Sequence, residues 1–193
     1  MSEAVVYDTR IAFTALVGIV IAERLVELLV SRRNEAWARA RGAVEAGAGH
    51  YPWMVVQHTA FLLACFLEVW LLHRPFVPVL GFSMVALLAG TMALRYWTVT
   101  TLGKRWTTRI LCIPGLPPVT GGPFRFLRHP NYLAVIVEVA ALPLVHSAWW
   151  TALVFSVANG FLLRTRIRAE ERALEEHNHY LDEFRETPGL VPR

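Results

Sequence analysis

Two short polar clusters carry most of the chemistry this chain can offer. The first is Arg128-His129-Pro130-Asn131-Tyr132, and the second, about thirty-five residues further on, is Arg166-Ile167-Arg168-Ala169-Glu170-Glu171. Arg166 presents a rigid planar fork of donors suited to a carboxylate. Glu170 or Glu171 can accept from hydroxyls or pair with an amino group. His129 and Tyr132 stand three residues apart across the start of a helix, so both can face one pocket. The exposed N–H groups of that helix start favour an anion, and Asn131 is placed to cap it. Each cluster abuts an apolar run able to enter a bilayer, where a charge is expensive unless paired or functional. Together they predict one polar site at a membrane face, built from segments that flank a helical hairpin.

Taken singly, these motifs have plainer readings. His-Pro before a helix is common punctuation. A Glu-Glu pair on a charged helix is by default a solvated face. Arg164, Arg166 and Arg168 also form what a juxtamembrane stop signal looks like, able to bind anionic headgroups. Arg164 and Arg168, four apart, fit that role, and Arg166 points elsewhere. The clusters gain weight from occurring together.

The elements that must position them follow from composition. At 193 residues, 55% hydrophobic and mean hydropathy +0.41, the chain exceeds the roughly 45–50% apolar content of soluble domains. Cys65, in an apolar run, and Cys112, in a loop, indicate neither a disulfide framework nor a zinc site, and no metal-ligand spacing is present. Residues 1–10 carry Glu3 and Asp8 without a basic n-region, so the first apolar run is expected to be retained rather than cleaved. That run, residues 11–30, matches a membrane span and is interrupted by Glu23, Arg24 and Glu27. Glu23 and Glu27 are expected to pair with Arg24 or Arg95. Residues 31–50 read as a polar loop or surface helix, 53–72 as a second span containing His58 and Glu68, and 76–97 as a third. His58 reads as a satisfied core histidine.

Residues 98–131 hold no acidic side chain. They contain Lys104, Arg105, Arg109, Arg125 and Arg128, and their Pro/Gly density forbids a continuous helix. Interleaved apolar and aromatic residues favour an ordered loop, and nucleic acid is not its partner at a membrane-embedded face. Residues 132–145 and 149–163 form a hairpin broken near Pro143 and His146-Ser147, followed by an amphipathic charged helix from Arg164 to about Phe184. The closing Leu190-Val191-Pro192-Arg193 has the form of a protease-tag remnant. Arginines favour the loops at 31–50 and 98–131 and the tail, which puts the N-terminus outside and both clusters at the cytoplasmic face. The expected fold is an all-α integral membrane protein of about five transmembrane helices with a C-terminal hairpin and a cytoplasmic amphipathic tail helix. It forms a single domain over 1–193, with three spans in 1–98 and the loop, hairpin and tail in 99–193.

The pattern Leu102-Gly103-x-x-Trp106, Gly121-Gly122-Pro123-Phe124-Arg125, Arg128-His129-Pro130-Asn131-Tyr132, Arg166-x-x-x-Glu170-Glu171, Tyr180-x-x-Phe184 and the closing Pro192 resembles the isoprenylcysteine carboxyl methyltransferase family. The resemblance covers the C-terminal half from about Leu102. It implies an integral membrane enzyme that uses S-adenosylmethionine to methylate a lipophilic acceptor, with a pocket at the cytoplasmic face closed by the C-terminal helix. On that reading Arg128, His129, Tyr132, Arg166, Glu170 and Glu171 hold the cofactor. Tyr132, Arg109 and Glu138 are the acceptor-side candidates; Arg109 would steer an anionic acceptor, and Glu138 is either a base or a hydrogen-bond partner inside the bundle.

Trp106-Thr107-Thr108-Arg109-Ile110, Ile113-Pro114-Gly115 and the arginine-rich approach to Glu170-Glu171 are similar to bacterial members that O-methylate alkylpyrones and alkylresorcinols beside type III polyketide synthases. Arg168 departs from them, since many relatives carry proline there. This finer likeness implies a bacterial inner-membrane enzyme acting on a ring hydroxyl. Prenylcysteine carboxyl methylation and then phospholipid methylation are the alternatives. An NADPH-dependent membrane reductase fits poorly, because Glu170-Glu171 would repel a nucleotide phosphate. A non-enzymatic membrane scaffold or small transporter would leave both clusters without purpose.

Overall fold

The computed structural model describes residues 3–190, with side chains from Asp8 onward. Pro192 of the closing motif, the tag-like residues beyond Leu190 and the side chain of Glu3 lie outside the described residues. The architecture is mainly helical. Helix α1 (Glu3–Arg39) leads into strand β1 (Val44–Ala46), helix α2 (Tyr51–Leu71) and helix α3 (Pro78–Leu102). Strand β2 (Ile110–Cys112), helix α4 (Pro130–Leu144), helix α5 (Trp149–Asn178) and the single turn α6 (Tyr180–Glu183) complete it.

The first departure from expectation is the length of α1, which does not end near Val30 but continues to Arg39. Its polar last turns stay helical because they have partners. Ser31 bonds Glu35 four residues on at 2.9 Å, and Asn34 donates to the carbonyls of Trp106 and Gly103 at 2.7 and 3.3 Å. Those residues are polar because they hold the loop. The second departure is β structure in a chain expected to be all-α. Strand β1 pairs antiparallel with β2, with Val44 opposite Cys112, Glu45 opposite Leu111 and Ala46 opposite Ile110. A Pro/Gly-rich segment that cannot helix must satisfy its backbone elsewhere, and pairing gives it that order.

Two segments, Ala48–Leu71 and Pro78–Arg105, are long and apolar enough to cross a membrane. Helix α1 is interrupted by its charges, and α4 is a shorter apolar helix of 15 residues. Large apolar side chains such as Ile19, Leu25, Val79, Phe82 and Phe161 lie exposed on α1, α3 and α5. Helices α4 and α5 form the expected hairpin, although Pro143 sits inside α4 rather than at its break. The start of α5 is capped from another helix. Glu68 of α2 accepts from the Thr151 N–H at 2.6 Å, the Thr151 hydroxyl at 2.7 Å and the Trp150 N–H at 3.2 Å, while Arg74 pairs with it at 2.7 Å. A carboxylate there meets the positive end of the helix dipole.

Helix α5 runs unbroken through Arg164, the point where the tail helix was expected to begin. Hydropathy falls there, yet no proline intervenes, so the helix has no cause to end. It stops at His179, which adopts a left-handed conformation (φ 52°, ψ 43°), and α6 turns back. The main core gathers Phe13, Val17, Phe61, Cys65, Val69 and Leu142 with their neighbours, and a second cluster of Phe124, Tyr180 and Phe184 sits under the C-terminus. Both cysteines are free and buried.

Candidate functional site

The polar motifs converge on the end of the molecule where α3, the 98–131 loop, the start of α4 and the second half of α5 meet. A cavity of about 170 Å³ lies there. Its polar lining comes from Arg128, His129, Asn131, Tyr132, Arg166 and Glu170. Its apolar walls include Trp106, Val119, Phe124, Leu174, Tyr180 and Phe184. Gly122 shapes the loop that frames it. Its φ is 58°, and a Cβ there would meet the Thr101 hydroxyl at 2.6 Å, so glycine is required on both counts.

Within the site His129 is 4% exposed and stacks on Tyr132, with ring centroids 5.4 Å apart. Its Nε2 lies 3.0 Å from Glu171. Arg128 donates from Nε to the Thr187 carbonyl at 2.7 Å and lies 3.4 Å from Glu171, which ties the C-terminal segment down over the cavity. Arg166 donates to the Tyr132 hydroxyl at 2.8 Å and to the Thr108 carbonyl at 2.7 Å, and the Tyr132 hydroxyl in turn donates to Glu170. Burial by itself would pull Arg166 down, but Tyr132 and Glu170 beside it hold it above the ordinary arginine value, so it stays charged. Among the described residues neither Arg166 nor Glu170 takes part in an ion pair.

Asn178 acts as a clamp that the motifs did not reveal. At the end of α5 its amide donates to the Ile113 carbonyl at 2.9 Å and also to that of Leu116, and its oxygen lies 2.6 Å from the Cys112 sulfur. The Cys112 thiol is pushed up to about 11 by burial and then by Glu170. An Asn one residue before a left-handed break is the only sequence signal for this clamp.

A second, larger cavity of about 710 Å³ runs along α1 and α2 and is lined mostly by apolar side chains. Trp106, Thr107, Asn131, Tyr132 and Arg166 line both cavities and form a wall between them. Asn131 is therefore not the helix cap. His129 occupies that position without a side-chain cap bond, and Asn131 lies inside α4, its Oδ1 buried with no hydrogen-bond partner.

Six of the predicted residues, Arg128, His129, Tyr132, Arg166, Glu170 and Glu171, come together here. The other two, Arg109 and Glu138, have partners outside this group. Arg109 touches the first cavity, but its guanidinium lies 2.6 Å from Glu45 and 3.5 Å from Glu35 and sits over the Tyr51 ring. Burial would raise the Glu45 carboxyl, but bonds from Arg39 and Arg109 hold it below its usual value, so the charge of Arg109 already has a partner within the protein. Glu138 lines neither cavity. It lies 3.5 Å from Arg24 and 3.5 Å from Arg95, in a network completed by Glu23 and Glu27, which is the partnership inside the bundle that was one of its two readings. The pairing expected of Glu23 and Glu27 is present, and His58 bonds the Met54 carbonyl at 2.8 Å.

Residues 80–176 match the isoprenylcysteine carboxyl methyltransferase (ICMT) family. The chain is 40% identical to "Uncharacterized protein YpbQ" of Bacillus subtilis, over 86% of its own length and 98% of that protein. It is 30% identical to an uncharacterized protein of Haemophilus influenzae, over 80% of this chain and 90% of the other. A nickel-cobalt-cadmium resistance protein, NccN of Alcaligenes xylosoxydans xylosoxydans, is 29% identical over 50% of this chain and 46% of its own. In architecture the chain is similar to the eukaryotic intramembrane Ras methyltransferase ICMT, with a TM-score of 0.58 at 18% identity, covering 73% of this chain and 52% of that one. The chain belongs to the ICMT family. Enzymes of this family are integral membrane methyltransferases that use S-adenosylmethionine and act on lipophilic substrates.

Proposed function

We propose that this protein is an S-adenosylmethionine-dependent O-methyltransferase whose C-terminal cavity holds the methyl donor and whose α1–α2 groove holds a lipophilic acceptor. The observation that carries this reading is the shared wall: five residues line a polar, aromatic cavity on one side and an apolar one on the other. The residues present fit the donor. Arg166, which is buried, and the half-buried Glu170 take part in no direct ion pair among the described residues, and suit a carboxylate and an amino group or ribose hydroxyls respectively. The orphaned Asn131 oxygen awaits a donor at the wall, and Trp106, Phe124 and Tyr180 offer faces for a flat ring. When bound, the donor supplies an electrophilic methyl on its sulfonium, which leaves sulfur as a bond to the acceptor oxygen forms. The chain's part is to hold the two reactants in line across the wall and to exclude water. Where the acceptor arrives neutral, its hydroxyl proton moves to the Tyr132 oxygen as the Tyr132 proton moves on to Glu170, leaving Tyr132 neutral and Glu170 protonated; an acceptor already ionised needs no such transfer.

The acceptor we assign is the ring hydroxyl of an alkylpyrone or alkylresorcinol, the product class of a type III polyketide synthase pathway. Trp106 and Thr107 of the supporting motif line the groove at the wall, beside Thr108, which gives the motif a direct view of the acceptor head. The second reading, a prenylcysteine carboxylate, is consistent with the family's own name. The whole chain forms one domain, with five spans in a bacterial inner membrane, the N-terminus outside and the site facing the cytoplasm. The arginines of the 31–50 and 98–131 segments support that orientation.

Labelled S-adenosylmethionine should bind the detergent-purified protein and NADPH should not; the reverse overturns the cofactor. Membranes should methylate alkylresorcinol at a rate that rises with pH toward the phenol value near 10, with little turnover of acetyl-farnesylcysteine. A farnesylcysteine ester with no ring product decides for the second reading. Single cysteines at positions 39 and 109 should resist impermeant reagents on intact cells, and one at position 74 should react; the opposite pattern overturns the orientation.

A further inference from the structure

The α1–α2 groove has a measurable length, and both ends are marked by hydrogen bonds. At the wall Ser31 of α1 and Tyr51 of α2 both contact the Thr108 hydroxyl, at 3.0 and 3.2 Å. At the far end the Trp70 indole N–H donates to the Thr14 hydroxyl at 3.0 Å. The α2 lining extends from Tyr51 to Phe66 and the α1 lining from Leu28 back to Thr14. At the rise of an α-helix each wall is about 20 Å long. One leaflet of a bilayer contributes about 15 Å of hydrocarbon, so the groove outreaches an ordinary leaflet's depth. The polar residues along its side, Arg24, Glu27 and Arg95, are paired with one another or with Glu138, and leave an apolar path beside them.

Gly18 lines the far half of this groove, and a Cβ built on it meets nothing within 4 Å. It lies ten residues from Leu28, about 15 Å along the helix from the wall. Its φ is not in the left-handed region, so backbone geometry does not require glycine here. The missing side chain leaves the groove open.

Resting on the reading above, we propose that the groove gauges the length of a single extended acceptor tail and that Gly18 is the specificity-determining residue that admits long ones. The occupant is the acceptor's own hydrocarbon, because the groove is continuous with the wall where the acceptor oxygen must lie. The acceptor class proposed above carries one unbranched tail, which can lie along the whole of this path. A methyl group at position 18 meets no neighbour, whereas a large side chain there projects into the far half and leaves the near half free.

The test compares wild type, Gly18→Ala and Gly18→Trp in membranes, using resorcinols with tails from pentyl to pentadecyl and labelled S-adenosylmethionine. A pentadecyl probe carrying a terminal diazirine is cross-linked in parallel and its site mapped by mass spectrometry. In wild type, kcat/KM should rise about tenfold or more from the shortest tail to the longest, since each buried methylene adds favourable transfer energy. Gly18→Ala should follow it. Gly18→Trp should lose about tenfold or more on pentadecyl while pentyl stays within about twofold. An equal loss at all lengths, or no loss at any, overturns the gauge. Cross-linking at the far end with unchanged rates makes the occupant a bilayer lipid tail and also overturns it. If no resorcinol is methylated by any variant, the proposed acceptor fails, and the probe map decides the gauge alone. Labels near Thr14 and Phe66 that vanish in Gly18→Trp sustain it; their absence from wild type sinks it.

Discussion

Arg95 in the helix bundle and Arg166 beside the C-terminal cavity are buried to a similar degree, at 7% and 5% exposure, and they keep different company. Arg95 reaches Glu27 through Nε at 2.6 Å and Nη2 at 3.0 Å, and Glu138 lies 3.5 Å away. Glu27 in turn is held by Arg24 at 2.6 Å. The bundle charges thus neutralise one another. Arg166 bonds a phenol and a carbonyl, and Glu170 bonds the same phenol. Tyr132 stands between an acid and a base that never meet. Burial alone therefore does not mark a functional charge. What separates the two regions is whether a buried ion is in direct contact with its counter-ion or reaches it only through a neutral hydroxyl, which leaves it charge to give a ligand.

The largest effect that would test this contrast is on stability. Arg95→Ala leaves Glu27 and Glu138 short of a partner and should destabilise the folded protein by about 3–5 kcal/mol. Its thermal unfolding in detergent should shift sharply, while the fraction that remains folded should still bind S-adenosylmethionine; an unchanged melting temperature breaks the comparison from the bundle side. Next come Arg166→Ala and Glu170→Ala, each of which should weaken labelled S-adenosylmethionine by about tenfold or more with a smaller change in melting. Glu171→Ala should do less, because Glu171 faces Arg128 and His129 and does not line the cavity. Near-normal binding in all three variants would remove the site.

Arg109→Ala sharpens the comparison from outside both regions. Its guanidinium is partly exposed and already met by Glu45 and Glu35, so methylation should change by less than about threefold and stability by about 1 kcal/mol or less. A large loss of turnover would restore it as a steering residue. The smallest expected signal concerns Cys112. With its thiol raised to about 11, the neutral form dominates throughout the physiological range, and only about one part in a thousand is thiolate at pH 8. Maleimide should leave the native protein's Cys112 unmodified at that pH and label it after denaturation; rapid native labelling would show a more open loop.

The polar motifs were legible in the chain because Arg128, His129, Tyr132, Arg166, Glu170 and Glu171 are types and spacings that an apolar neighbourhood does not tolerate without reason. So were the helices around them, since α2, α3 and the α4–α5 hairpin are written in long apolar runs with prolines at Pro52, Pro78 and Pro130 at their starts. Polarity misled at Ser31–Glu35 and at Arg164, where helices continue. A drop in hydropathy reports a change of surroundings, whereas a helix ends only where its backbone is broken or capped.

Sequence by itself determined which residues are costly to place beside lipid and which segments can be helical, because both follow from side-chain solvation and local backbone preference. Only the tertiary structure decided who pairs with whom. It sent Glu138 and Arg109 to structural partners, brought Asn178 to the Pro-rich loop, paired β1 with β2, and set Trp106, Thr107, Asn131, Tyr132 and Arg166 as one wall between two cavities. These outcomes depend on distances between segments as many as 137 residues apart, as in the contact of Thr9 with His146, and no local pattern encodes such distances. Gly18 is the extreme case. Its role lies in the space that its missing side chain leaves, which exists only once α1 and α2 stand side by side.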